Sequence, residues 1–450
     1  MPNPIPWNSR GQRVIRTMFS NIKLQASSCF YYPNEAEASI LDFVLLPAIS
    51  IHWKSQNPLW CQLIGAPGSG KTAHICLLDL WDGSVFLSRL TKNSLISGFR
   101  SDARPDYDPS LLNMLDSKVL IVKDFTCILQ GPREERDSVV GQLRDIFDGK
   151  ASRHLGNIGL KEYVAHFNML LAVTPIIDGF HSVTSQLGER FITRRELTLH
   201  RRKITMAAFD NMFTGDNERK LADLKAAVRD FINSIPRISI SSVVWPTEFK
   251  KRIISGADLI AACRSHVLRE HSSQAIASCP NPEVGTRLVT QLAQAVVGYC
   301  LLNGISEVNE EAWKFGGARL LRDTLPAVVA WVLQCLYFLQ REQEDKGGIQ
   351  LLTLKELLPI TRLGWSTTNQ VVTDLYLNGV LQAEYTGSKG RRGTYYFFKE
   401  AMLNRIKRLG LFDQPIEMTQ TQLSGILKNR ERVFAARSRK PSKGELLSPC

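Results

Sequence analysis

"GAPGSGKT", Gly65–Thr72, follows the apolar run "WCQLI" and leads into "AHICLLDLW". The stretch satisfies G-x-x-x-x-G-K-[ST], a spacing that serves one chemistry. Glycines let backbone N–H groups crowd around an anion, the start of a helix adds a favourable dipole, a lysine reaches the outer phosphates and a hydroxyl can hold Mg²⁺. The expected cradle for ATP with Mg²⁺ is therefore Gly65, Ala66, Pro67, Gly68, Ser69, Gly70, Lys71 and Thr72, with Lys71 on phosphate and Thr72 on the metal. A turn that merely happens to be rich in glycine lacks the apolar strand before it and the helical pattern after it.

Outward from this loop, short apolar runs alternate with amphipathic stretches to about residue 200, as expected for strands and helices around a parallel sheet. The strand candidates are "WCQLIG", "SVFLSRL", "KVLIVKD" and "FNMLLAVT". From 201 to 345 the apolar period is helical throughout. In "ERKLADLKAAVRDFINSI", Leu221, Leu224, Val228, Phe231, Ile232 and Ile235 share a face. The expected divisions are residues 1–57, an N-terminal helical segment; 58–200, the α/β core; 201–345, helical; 346–410, a small mixed unit; and 411–450, a basic mobile tail containing "NRERVFAARSRKPSKGELLSPC". No motif is legible in the first segment, where Tyr31 and Tyr32 read as core packing rather than as flanks of an adenine.

About 50 residues past the glycine loop, "KVLIVKDFT" delivers an acid to a strand end. Nucleotide-hydrolysing proteins commonly carry two adjacent acids there, one toward magnesium and one toward water, whereas this chain has only Asp124, between Lys123 and Phe125. Two registers stay open. In one, Lys123 replaces the magnesium-side acid; in the other, Phe125 replaces the water-activating one. Asp124 is expected to serve both tasks, with Thr126 as support, because phosphoryl transfer relies mainly on positioning and charge neutralisation.

The region resembles the AAA+ P-loop ATPases beyond these two Walker motifs. "FNMLLAVT" looks like the sensor 1 strand, which implies that Thr174 polarises the attacking water. "LGERFIT" is similar to the motif bearing the arginine finger, which makes Arg190 a group donated to a neighbouring subunit. "NPEVGTRLVTQL" resembles sensor 2 of the MCM-like and initiator-like branches and assigns Arg287 to the nucleotide from the lid side. By the same resemblance, the basic hairpin in "DGKASRHLGNIGLKEYV" matches one that grips DNA in a ring's pore, through Arg153, His154 and Lys161. The implied fold is α/β: an AAA+ P-loop NTPase core of parallel sheet with flanking helices, and an all-helical lid.

"LLTLKELLPITRLGWSTTNQVVTDLYLNGVLQAEYTGSKGRRGTYYFFKE" reads as helix, turn, helix and then a hairpin with a cationic tip. It looks like a winged-helix domain, a module that also serves as a protein dock. Ser366 or Thr367 caps the second helix, Thr368, Asn369 and Gln370 stand ready at its start for the major groove, Gly379 ends it, and Lys389, Arg391 and Arg392 ride the wing.

A formal net charge of +13 and a pI near 9.3 bias the chain toward a polyanionic partner. Nine cysteines with no C-x-x-C pair indicate neither a disulfide framework nor a zinc ribbon, so a reducing cytoplasm is expected. No secretory leader is legible at the start, and the most apolar runs fall short of the ~18 to 20 residues needed to span a bilayer. The expectation is an oligomeric DNA-binding ATPase, implied by resemblance to be a hexameric ring, acting as a helicase or translocase in the DNA replication of a phage or mobile element. The alternatives are an ATP-switched DNA-binding adaptor, such as an initiator, helicase loader or transposition-targeting factor, and a protein-docking role for the C-terminal unit.

Overall fold

The computed structural model describes residues 4–53, 57–98, 108–155, 159–180, 190–196, 200–213, 215–270, 275–278, 280–344, 352–388 and 391–412. The chain opens with helices α1 (Ser9–Cys29), α2 (Glu35–Ala38) and α3 (Ile40–Ser50). The α/β part follows as β1 (Trp60–Ile64), α4 (Lys71–Ile75), β2 (Ser84–Leu87), β3 (Val119–Val122), α5 (Thr126–Leu129), α6 (Arg133–Phe147), β4 (Lys150–Leu155), β5 (Gly159–Val164), β6 (Asn168–Val173) and β7 (Ile192–Arg195).

Five of these strands form one parallel sheet in the order β2-β3-β6-β1-β7. Helices cover both of its faces, which explains why β3 and β6 are buried along their whole length instead of alternating. On one face Leu120, Val122, Leu171 and Val173 pack with Val139, Leu143 and Phe147 of α6, and Trp60 sets its indole edge-on to Phe147. On the other, α3 lies across β1 and β6. Asn168 fixes that helix, donating from Nδ2 to Pro47 O at 2.8 Å and to Ser50 Oγ at 2.6 Å while its Oδ1 accepts from Leu59 N. The sheet is compatible with a P-loop-type core.

The helical run is observed as α7 (Arg201–Phe213), α8 (Asn217–Ser234), α9 (Thr247–Arg264), α10 (Thr286–Leu302), α11 (Glu310–Thr324, with one wide π turn at Trp313–Ala318) and α12 (Ala327–Glu344). Leu224, Val228, Phe231 and Ile232 form the buried face of α8, as the period predicts, and Phe231 stacks on Phe19 of α1 at 5.4 Å. α10 packs on α3. The N-terminal helices and most of the helical run thus close over the sheet in one compact unit, residues 1–266, 281–327 and 408–411. The divisions expected at 57 and 200 do not separate compact bodies.

The second unit comprises the described residues within 267–280 and 328–407, together with 412. It takes most of α12, which the sequence assigned to the preceding helical run. The physical reason is that Trp331 Nε1 donates to Thr361 O at 2.8 Å and Gln340 Oε1 accepts from Phe398 N at 2.9 Å. Its other elements are β8 (Leu352–Thr353), α13 (Leu354–Thr361), α14 (Trp365–Leu377), β9 (Gln382–Ser388), β10 (Arg391–Phe397) and α15 (Glu400–Leu409). The strands form an antiparallel sheet in the order β8-β10-β9. No single described helix is long and apolar enough to cross a membrane.

Candidate functional site

The glycine loop leaves β1 at the C-terminal edge of the sheet, where Gly65 N donates to Val173 O of β6 at 3.2 Å. Gly68 and Gly70 have φ of +77° and +87°, a region open at little cost only to glycine. A Cβ on Gly65 would stand 2.7 Å from Ser69 Oγ, so a side chain there would displace the serine from its place in the loop. The Lys71 ammonium folds back on the loop, donating to Gly65 O at 2.7 Å and Ala66 O at 2.8 Å. Burial lowers its pKa, while Glu196 and Asp124 oppose that shift, which places both acids within electrostatic reach of the ammonium. The α-helix after the loop is only Lys71–Ile75, continued by one 3₁₀ turn to Leu78. Its dipole is therefore small, and the loop amides and Lys71 dominate the site's positive potential.

His74 braces the loop from behind. Its Nδ1 lies 2.9 Å from Gly70 O and its Nε2 2.8 Å from the Tyr32 hydroxyl. A carbonyl can only accept, so Nδ1 carries the proton and Nε2 accepts from Tyr32. Burial pushes the imidazole down to about 4 against the opposing Gly70 bond, which keeps it neutral near pH 7. Phe30 stacks on the ring at 4.2 Å. Tyr31 and Tyr32 are half-buried and line a cleft of about 210 Å³ beside Gly68, Ser69 and Gly70, with Ile204 and Asn211 of α7 on its far wall. Neither is the plain core residue expected.

Beyond the strand end of β3, Phe125 turns into the core and the Lys123 ammonium lies over the Phe86 ring at 5.4 Å. Asp124 is the residue of this trio left at the surface. Its carboxylate accepts from Thr126 N at 2.9 Å and from Cys127 Sγ at 3.3 Å. Thr126 Oγ1 donates to Thr174 Oγ1 at 3.2 Å and accepts from Thr174 N at 3.1 Å. Lys71, Asp124, Thr126 and Thr174 thus gather at the ends of three neighbouring strands, with Thr72 exposed at the mouth of the loop. Among the described residues no cluster of three or more His, Cys, Asp or Glu forms a metal site. The hydroxyl of Thr72 and the carboxylate of Asp124 are the hard oxygen donors Mg²⁺ takes when phosphates supply the remainder.

The two arginines expected at the nucleotide lie elsewhere in their own chain. Arg190 precedes β7, whose Ile192 pairs in register with Cys61, so it sits at the N-terminal edge of the sheet, opposite the glycine loop. Its guanidinium is 4 % exposed, 3.6 Å from Asp148, and packs on the Phe147 ring at 5.4 Å. Reaching a neighbouring subunit would require leaving both. Arg287 is exposed and close enough to Arg190 to depress its pKa, after burial, the larger cause. It is one turn from Gln291, whose side chain donates to Arg190 O. Arg287 therefore does not face the loop of its own chain.

The basic hairpin forms as β4 and β5, but its two faces divide the expected residues. Arg153 pairs with Lys161 on the inward face, where Arg153 Nη1 donates to Lys92 O at 3.2 Å. Lys161 is spent on Asp108, 3.0 Å away, and on Ser97 O. Tyr163 O–H and Ser110 O–H also donate to Asp108, and these bonds outweigh burial to hold its carboxyl well below the usual range. His154 alone of the three is exposed, on the outer face with Lys150, Leu160 and Val164. Replacing Asp108 with Asn is expected to free the hairpin: amide exchange across Gly159–Val164 should quicken at least about tenfold, and unchanged protection would refute the clamp.

In the second unit Thr368 is fully buried and donates to Gly364 O at 3.1 Å, so it cannot read a groove. α14 begins at Trp365, ahead of the predicted Ser366 or Thr367 cap. Asn369 and Gln370 are exposed as expected, joined by Trp365, which sequence reasoning passed over. Gly379 ends the helix with φ +75°. Lys389 lies outside the described residues, as do the side chains of Arg391 and Arg392 and the tail from 413. Compared with known proteins, the chain matches no family model and no curated sequence.

Proposed function

We propose that the chain is an ATP-hydrolysing, DNA-binding ATPase of AAA+ type, active as an oligomer, with a helical lid and a C-terminal winged helix. The observation that carries this reading is the convergence of the glycine loop, Lys71, Asp124, Thr126 and Thr174 on one sheet edge. The loop amides and Lys71 hold the phosphates. Thr72 and Asp124 would hold Mg²⁺, which would supply neutralisation of the outer phosphate charge. Asp124 accepts the proton of an incoming water as its oxygen adds to the outer phosphorus and the bridging P–O bond breaks. Thr174, with its oxygen engaged by Thr126, keeps its own O–H to orient that water. The net charge of +13 and the exposed Trp365, Asn369 and Gln370 favour nucleic acid as the partner. The motor reading, a helicase or translocase, has Arg190 and Arg287 serving a neighbour's nucleotide.

An ATP-switched adaptor is the second reading, favoured by the single acid at β3, whose oxygens already accept from Thr126 N and Cys127 Sγ. Phosphate release with and without DNA, alongside strand displacement, separates the two. A motor gives DNA-stimulated turnover and free strand; an adaptor gives ATP-dependent duplex binding and no strand. In both, Asp124→Asn is expected to keep ATP binding and lower turnover by about 10² to 10³. Turnover unchanged in that variant would remove Asp124 from the chemistry.

A further inference from the structure

Glu196 was not singled out by its sequence context, yet it is held at both backbone and side chain beside the glycine loop. β7 runs parallel to β1 with Arg195 level with Ile64, and Glu196 N extends the ladder by donating to Ile64 O at 2.7 Å. The backbone at Glu196 is thereby fixed level with the first residue of the loop. Its carboxylate accepts from Ser69 Oγ at 3.0 Å and would meet a Cβ on Gly65 at 3.1 Å. It also lines the cleft shared by the loop and by Tyr31 and Tyr32.

A carboxylate is a poor neighbour for a triphosphate. Like charges at this range repel, and the low-dielectric wall of the cleft strengthens the effect. The Lys71 ammonium offsets part of that repulsion, and hydrogen-bond donors on the nucleotide would turn the contact favourable. With phosphates on the loop amides and the base toward the tyrosines, the group between them is the sugar, whose hydroxyls are neutral donors. An acid set beside a glycine loop serves ribose in the same way in dinucleotide-binding folds. Ser69 keeps the carboxylate turned inward until a sugar hydroxyl joins or replaces it.

We infer that Glu196 reads the sugar of the bound nucleotide, accepting a hydrogen bond from a ribose hydroxyl and so selecting ribonucleoside over deoxyribonucleoside triphosphates. The inference rests on the nucleotide-binding reading above. Calorimetry on the full chain with Mg²⁺ and, in turn, ATP, 2′-deoxy-ATP and 3′-deoxy-ATP tests it without any mutation. One deoxy analogue is expected to bind about tenfold or more weakly, the worth of one hydrogen bond to a charged acceptor. Glu196→Ala should erase that preference by weakening ATP alone, with the deoxy analogue held as well as or better than before, and Glu196→Gln should keep part of it. Equal affinities in the wild type, or a preference that survives in Glu196→Ala, overturn the assignment while leaving nucleotide binding intact. Absence of binding by all three would instead overturn the nucleotide site, and this inference with it.

Discussion

Replacing Lys71 with alanine is expected to weaken ATP binding by about ten- to a hundredfold while the chain stays folded. The lysine makes two short bonds to Gly65 O and Ala66 O, so its loss leaves two carbonyls short of a partner, at about 1 to 2 kcal/mol of stability. The effect on binding is larger because a charge-assisted bond to phosphate contributes about 1.5 to 3 kcal/mol and the loop keeps no other cation at its centre. Burial lowers the ammonium's pKa, but Glu196 and Asp124 work to hold the proton on it. Arginine should not restore binding, since the planar fork is bulkier than a point charge in a loop where even a Cβ on Gly65 would come 3.2 Å from Lys71 Cδ. ATP titration beside a thermal melt checks both halves. An alanine variant that binds ATP like the wild type would show that the loop is a glycine turn and no more.

Much of the α/β part is legible because a strand covered on both sides must be apolar throughout. β1, β2, β3 and β6 fall inside the four runs read as strands. β7 escaped, for its sequence is "ITRR" and a pair of arginines signals a surface. Arg194 is buried and Arg195 half-buried because Asp323, 129 positions on from Arg194, meets both. Partners that distant leave no trace in local periodicity. Lys161 was misjudged for the same reason, its acid being Asp108 across the sheet edge. Thr368 is different: it shares one helical face with Val372 and Leu375, all three buried, and that spacing was available to show that it points inward. Glu196 gave no signal, because its meaning depends on β7 lying next to β1. Strand order is a long-range property, and an acid after two arginines reads as ordinary surface until that order is known.

The interior arginines lead to the largest expected change in stability. Asp323 accepts from Arg194 Nη1 at 3.2 Å, Arg319 Nε at 2.9 Å, Arg322 Nη2 at 3.0 Å and Arg195 N at 3.1 Å. Arg195 in turn makes a two-bond pair with Asp178, at 2.8 and 2.7 Å. Two carboxylates thus tie β7 to its neighbours, Asp323 to α11 and Asp178 to the turn after Thr174. Removing its charge by Asp323→Asn leaves three buried guanidiniums facing one another and is expected to destabilise the fold by about 3 to 5 kcal/mol at pH 7. Burial alone would raise the Asp323 pKa, but Arg319, Arg322 and Arg194 outweigh it and hold the carboxyl well below its ordinary value. The folded-state pKa is depressed, so this contribution is fully present above the unfolded value of about 4 and is lost as pH falls below it. Urea unfolding should therefore show wild type and Asp323→Asn far apart at pH 7 and converging toward pH 2, because the variant lacks this part of the acid limb. ATP affinity should fall as well, since the same carboxylate fixes the strand that ends in Glu196. Stabilities within about 1 kcal/mol at pH 7 would mean that the arginines find other partners, and the cluster would then be incidental to the nucleotide site.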